Sequence, residues 1–483
     1  MAASMNPLLC WLIFGATYCG IAVGGIPGLT IDRTGIALLG AIAMVAAGVL
    51  PLDAAMGSID APTLLLLFGL MLVSAQLRLS GFYTRAAWAL GGLTAQPRKF
   101  LLLLMAVSGT LSAILVNDIV CLAFTPVLTM AVLRARLNPM PYLIGLACAS
   151  NIGSAATLIG NPQNMLIGQV GRLDFGRFLA WCGLPSLLAL GAAYGTLLWI
   201  YRGKLETGGA AEPAEGKRST FNVEPQTEPL WPMWKGLLVA GAVMALFFTR
   251  VPREITALAA GGVLLCSRRM DVRRLLGLID WSLIMLFCGL FVVIAGIETT
   301  GAPARLLEWL AGQGVAVADP YALTAVGALL SNLVSNVPAV MLLVRFLDGA
   351  PAESWYVLAL ASTFAGNLIT IGSIANLIVI EQARGLGVTL TFREHARAGI
   401  PVTLASLAIV AVWLLVAPPG ARGAAVPAPG GPGQPGGQAV VPGVLNGAAP
   451  AAAGGALARC GRGAHRVHGA AGAPLFDNLR SGF

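Results

Sequence analysis

Residues 150–164 read SNIGSAATLIGNPQN, with three Asn, one Gln, three Gly or Pro and three Ser or Thr among fifteen residues. Apolar runs long enough to enter a bilayer flank this stretch on both sides. Backbone amides and carbonyls in hydrocarbon must be paired. Irregular polar backbone at membrane depth therefore survives only where protein buries it or a cavity wets it. Discontinuous helices of this kind form the substrate and ion sites of many secondary transporters. The stretch reads as one half of such a site.

The rest of the chain agrees with a membrane setting. Of its 483 residues 57% are hydrophobic and 11% charged, against roughly 25% charged in a soluble domain. Apolar runs recur at spanning length, so the fold class is an all-α polytopic membrane protein. The net charge of +9 comes from Lys and Arg spread over short loops, which fits membrane topology better than nucleic-acid binding. The eight Cys contain no C-x-x-C pair and lie mostly in apolar spans, which argues against a disulfide framework or a zinc site. No cleavable leader is expected ahead of the first apolar run. No H-E-x-x-H, P-loop or G-x-S-x-G occurs in the spans, so an enzyme is not expected.

Spans are expected near 8–29, 34–51, 61–79, 100–133, 141–171 and 178–201, with a short amphipathic piece at 82–93. The 100–133 run breaks at Asn117-Asp118 and suits a re-entrant hairpin. The pattern then recurs. DAPTLLLLFGLMLVSA from Asp60 matches DWSLIMLFCGLFVVIA from Asp280. SGTLSAILVND from Ser108 matches VGALLSNLVSN from Val326, which sets Asn117-Asp118 opposite Ser335-Asn336. ASNIGSAATLIGNPQN from Ala149 matches ASTFAGNLITIGSIAN from Ala361, and Gly183-Leu184-Pro185 matches Gly399-Ile400-Pro401. Four matches in one order at a nearly constant offset indicate duplication.

An odd number of crossings per half makes the second half insert upside down. The expected architecture is two inverted-topology repeats of about five transmembrane helices plus one re-entrant hairpin each. The first repeat is 1–201, the linker 202–232, the second repeat 233–417, and 418–483 an Ala/Gly/Pro-rich, low-complexity tail expected to be disordered. In this topology nineteen Lys and Arg fall on the linker side and six on the other, with five in the tail. The linker is therefore expected to be cytoplasmic and both termini outside, in the inner or plasma membrane.

Four irregular stretches converge by symmetry: 116–118, 150–164, 331–338 and 366–376. Asp118 is the acidic residue placed deepest, and an ionisable group at membrane depth is a functional candidate by default. Asp60 and Asp280 begin matching spans and read as helix caps. No Arg or Lys is expected in the site, so an anion would be held by amides, hydroxyls and helix ends.

These motifs, NDIVCLAFTP from Asn117, SNIGSAATLIGNPQN, SNLVSNVP from Ser331 and GNLITIGSIAN from Gly366, resemble the ion transporter superfamily. Its branches include arsenical-pump permeases, Na⁺/H⁺ antiporters and, more distantly, dicarboxylate/sulfate carriers. The resemblance covers residues 8–417. It implies binding of a small-ion substrate at Asn117, Asp118, Asn151, Gly153, Thr157, Gly160, Asn164, Ser335, Asn336, Asn367, Thr370, Gly372, Ser373 and Asn376. The tips depart from the Ser-Asn-Thr signature of the dicarboxylate carriers, which favours the arsenical-pump and anion-permease branches. The implied function is alternating-access transport of a small inorganic anion or oxyanion, arsenite-like in its sharpest form, coupled to H⁺ or Na⁺. A Na⁺/H⁺ antiporter and a passive anion channel are the alternatives. No cofactor, metal or nucleic acid is implied. The lipid bilayer is the expected partner, and the resemblance allows a homodimer. Cys121 and Cys148 neighbour the motifs as packing residues first and arsenite ligands second.

Overall fold

The computed structural model describes residues 7–25, 30–205, 230–266, 271–313 and 319–417. Most of the linker 202–232 and the whole tail 418–483 lie outside the described residues. Described secondary structure is helical. The first half runs α1 (Pro7–Val23), α2 (Arg33–Ala46), α3 (Leu52–Gly57), α4 (Ala61–Leu79), α5 (Phe82–Gly91), α6 (Pro97–Ile114), α7 (Asn117–Arg134), α8 (Pro139–Ser154), α9 (Pro162–Val170) and α10 (Phe175–Ile200). The second runs α11 (Leu230–Phe247), α12 (Arg253–Leu265), α13 (Val272–Leu276), α14 (Trp281–Glu298), α15 (Ala302–Gly312), α16 (Pro320–Val334), α17 (Asn336–Leu343), α18 (Ala352–Ala365), α19 (Ile374–Gly385) and α20 (Phe392–Val416). Among the described residues α4, α6, α7, α10, α14 and α20 are long and apolar enough to cross a membrane.

The breaks fall where the sequence places them. α8 stops at Ser154, and α9 restarts at Pro162, whose missing N–H costs nothing in the first turn. Asn161 caps that restart by accepting the Asn164 N–H at 2.8 Å. In the second half a 3₁₀ turn, Thr370–Gly372, separates α18 from α19. The residues leading into α6 and the last turn of α7 line one surface cavity through Gly92, Thr94, Arg134 and Ala135. The pair therefore returns to the end it left, as a hairpin does. Its tip is Leu115-Val116.

The helix starts adjust the alignment read from sequence. α7 begins at Asn117 and α17 at Asn336, so these two Asn correspond and Asp118 stands opposite Val337. The sequence alignment, which set Asn117 opposite Ser335, differs by one residue from the helix starts.

Packing between the halves is reciprocal. A Cβ on Gly69 of α4 would lie 2.4 Å from the Ala257 carbonyl carbon of α12; one on Gly289 of α14 would lie 2.7 Å from that of Ala37 on α2. Both contacts relate residues 220 apart with the halves exchanged. Small residues let backbones approach where lipid offers no competing hydrophobic drive. The same holds for the broken helices at an offset of 212. Asn164 Nδ2 donates to the carbonyls of Ser154 (3.3 Å) and Thr157 (2.9 Å). Asn376 Nδ2 donates to those of Gly366 (2.7 Å) and Ile369 (3.2 Å). Each amide ties off carbonyls that the unwound backbone frees.

Two outcomes follow for purified protein in detergent. Gly69→Ala and Gly289→Ala each lower stability, by about 1–3 kcal/mol, whereas Gly241→Ala, with nothing within 4 Å of its Cβ position, does not; thermal unfolding followed by size exclusion reads the difference. Asn164→Ala and Asn376→Ala each leave two carbonyls unpaired and cost about 1–3 kcal/mol. Markedly unequal losses would count against their correspondence.

Candidate functional site

Three of the four irregular stretches meet at one amide. Asn151, 1% exposed, sits near the C-terminal end of α8. Its Nδ2 donates to Asn367 Oδ1 (2.9 Å) and Asn376 Oδ1 (3.1 Å). Its Oδ1 accepts from Asn117 Nδ2 (3.3 Å) and Ser373 Oγ (3.0 Å). One side chain therefore joins the first hairpin tip to both flanks of the second unwound segment. The counterpart of Asn151 at offset 212 is Thr363, whose hydroxyl accepts from Asn161 Nδ2 and Gln163 Nε2, both at 3.3 Å. The Asn151–Ser373 and Asn161–Thr363 contacts are again reciprocal, with different chemistry in each half.

Backbone contacts seat the tips. Asn117 N–H donates to the Gly160 carbonyl at 3.0 Å, and its own carbonyl accepts from Ser150 Oγ at 3.1 Å. With its amide nitrogen turned toward the carbonyls, Asn336 donates to Gly372 (2.8 Å) and Ser362 (3.1 Å). Gly160 and Gly372 thus perform the same task in the two halves. Gly160 tolerates no side chain, since a Cβ would lie 2.2 Å from the Ser154 carbonyl oxygen, and a Cβ on Gly153 would lie 2.1 Å from that of Gly109. Thr157 donates to the Ala113 carbonyl at 2.5 Å and ties the unwound segment to α6.

A cavity of about 20 Å³ opens where these elements converge. It is lined by Asn117, Asp118, Gln163, Ser335, Asn336 and Ser373, with Pro162, Val337 and Ile374. That is room for about one water. Of the residues expected from sequence, Asn117, Asp118, Ser335, Asn336 and Ser373 line it. Asn151, Asn367 and Asn376 form the network behind it. Gly153, Thr157, Gly160, Asn164 and Gly372 shape the backbone, and Thr370 is buried in the 3₁₀ turn away from the cavity wall. Asn117 Oδ1 and Asn367 Nδ2 are buried without a protein partner, an acceptor and a donor of the kind that calls for an explanation. Ser335 adds strain, with φ of +76° and ψ of 161°. A non-glycine residue there costs about 1–3 kcal/mol and tends to mark functional sites. The other tip residue, Val116, is extended at φ −63°.

Several contributors were not expected. Asn161 and Gln163 lie within the opening motif itself. His395 of α20 is fully buried, with Nε2 3.1 Å from the Asn367 carbonyl oxygen; as the lone His outside the tail it carried no pattern. Arg78, at the end of α4, lines a separate cavity that also contains Asp118, so a basic residue approaches the site from behind. Asp280 caps α14 through the Leu283 N–H at 2.9 Å. Asp60 instead accepts the Thr63 hydroxyl. Cys121 and Cys148 are fully buried and line neither cavity. Among the described residues no group of three or more His, Cys, Asp or Glu is arranged to hold a metal ion.

Relatives match this chain in sequence along most of their length. The silicon efflux transporter LSI3 of Oryza sativa subsp. japonica is 31% identical over 82% of this chain and 95% of its own. The uncharacterised transporter Rv2684 of Mycobacterium tuberculosis is 29% identical over 83% and 96%. The putative transporter arsB of Dictyostelium discoideum is 24% identical over 78% and 86%. The family model described as citrate transporter (CitMHS) matches residues 9–365, most of the membrane-embedded part. The protein is thus a multi-pass membrane transporter rather than an enzyme, and the chain belongs to the citrate transporter (CitMHS) family.

Proposed function

We propose that the protein carries a small inorganic oxyanion in its protonated, uncharged oxyacid form, by alternating access and in exchange for protons bound at Asp118. The observation that carries this reading is the lining of the central cavity: neutral amides and hydroxyls, one carboxylate and no basic side chain. A multiply charged carboxylate buried there, beside Asp118, would forfeit its hydration with no cation in return. A neutral oxyacid would not. Its hydroxyls both donate and accept, and they match the unpaired Asn117 Oδ1 on the cavity wall. The printed names of two relatives, a silicon efflux transporter and a putative arsB transporter, point the same way. Silicic and arsenous acids are both uncharged polyhydroxy acids in neutral water.

Alternating access is supported by size. A cavity with room for about one water admits no oxyacid until the tips move apart. The reciprocal contacts at Gly69 and Gly289, together with the bias of Lys and Arg toward the linker side, support inverted halves with a cytoplasmic linker. Rocking one half against the other would then expose the same residues to each side in turn.

In proteoliposomes, arsenite or germanic acid movement should follow an imposed pH gradient, and Asp118→Asn should cut gradient-driven transport at least tenfold while the protein stays monodisperse. Transport that ignores the gradient, or strong competition by citrate, would sink this reading. Ser335→Gly relieves the backbone at the second tip and removes its hydroxyl from the cavity. It should raise the melting temperature and lower the transport rate together, as measured on the same preparation.

A further inference from the structure

Behind the motif site lies a second cavity of about 70 Å³, room for several waters. Its wall is mostly apolar but carries three charged residues: Arg78 from the last turn of α4, Asp118, and Asp280 just ahead of α14. Asp118 is the residue common to the walls of the two cavities. Asp280 is exposed, while Arg78 and Asp118 are half-buried, so the charged groups lead inward from the surface. This is the end of the bundle where the linker joins, because Gln76 Nε2, two residues before Arg78, donates to the Pro232 carbonyl at 3.2 Å.

We propose that this cavity is a proton antechamber, by which water delivers protons from the linker-bearing end to Asp118, apart from the route taken by the substrate. The proposal rests on the reading that Asp118 carries the coupling proton. The step is a simple transfer: hydronium gives its proton to the Asp118 carboxylate, leaving water and a carboxylic acid, and the reverse discharges it. Asp280 draws cations to the mouth. Arg78 adds the one positive charge on the same wall. No other ionisable side chain lines this cavity. Around the rest of α7, Tyr83 of α5, Tyr142 and Cys148 of α8 and Cys121 of α7 itself are buried, Arg85 of α5 is half-buried, and Arg98 and Lys99 of α6, Arg134 of α7 and Glu381 and Arg384 of α19 are exposed. Arg78 and Asp280 are therefore the charged residues that share this cavity wall with Asp118.

The test is the pH profile of transport in proteoliposomes. Arg78→Gln should move its midpoint to higher pH and Asp280→Asn to lower pH, each by about one unit. Asn retains the acceptor that caps α14, so Asp280→Asn removes charge without removing the cap, and Arg78→Lys should bring the midpoint back to that of the native protein. Opposite shifts with rescue support the antechamber. Unmoved midpoints, or shifts in the same direction, in a protein whose profile is still flattened by Asp118→Asn, overturn the antechamber alone. A profile that Asp118→Asn leaves unchanged overturns the coupling role beneath it.

Discussion

Polar groups in a nonpolar bundle must find partners inside the protein, and Asn151 is where the polar side chains of the site meet. Its one amide accepts from the first tip and from Ser373 and donates to Asn367 and Asn376. Removing either end of this arrangement leaves buried polar groups on several elements at once, each costing on the order of 1–3 kcal/mol. The network is therefore both the support of the site and its most expensive part. It also makes the halves interdependent. Asn151 of one broken helix is partnered by Asn367, Ser373 and Asn376 of the other, so a change in one is felt in the second.

Most of this was legible in the sequence because membrane constraints are severe. Helical spans, the two interruptions and the duplication all follow from where polar, Gly and Pro residues sit in apolar runs, and the structure places its breaks at those positions. The members of the central cavity wall that came from paired motifs, Asn117, Ser335, Asn336 and Ser373, were recoverable for the same reason. Register at the tips was not. Val116 and Ser335 precede helices that start one residue away from the expected alignment, and no periodicity reports on a two-residue break. Arg78 was also hidden, since a basic residue at a span end reads as a topology signal. Its position behind Asp118 depends on how α4 packs beside the start of α14, which is a tertiary fact. His395 lies 28 positions from Asn367 in the chain and meets it only after α20 folds back.

Repeats constrain function through what they share and through where they differ. The shared parts are backbone tasks: Gly160 and Gly372 accept from the tips, and Asn164 and Asn376 close the freed carbonyls. The differing parts are chemical. Asn151 faces Ser373 where Thr363 faces Asn161, and Asp118 stands opposite Val337. Reciprocal contacts supply the scaffold, and Asp118 is the one carboxylate on the central cavity wall.

The strained serine at the second tip carries this asymmetry into energy. A carrier whose halves trade places would rest equally on both faces if its two tips were equivalent. Here one tip holds an ordinary extended backbone and the other a conformation that costs about 1–3 kcal/mol. A difference of that size corresponds to roughly a five- to hundredfold bias between two conformations. In the alternating-access reading proposed above, the empty carrier would then spend most of its time facing one compartment, and the free energy of binding would turn it to the other.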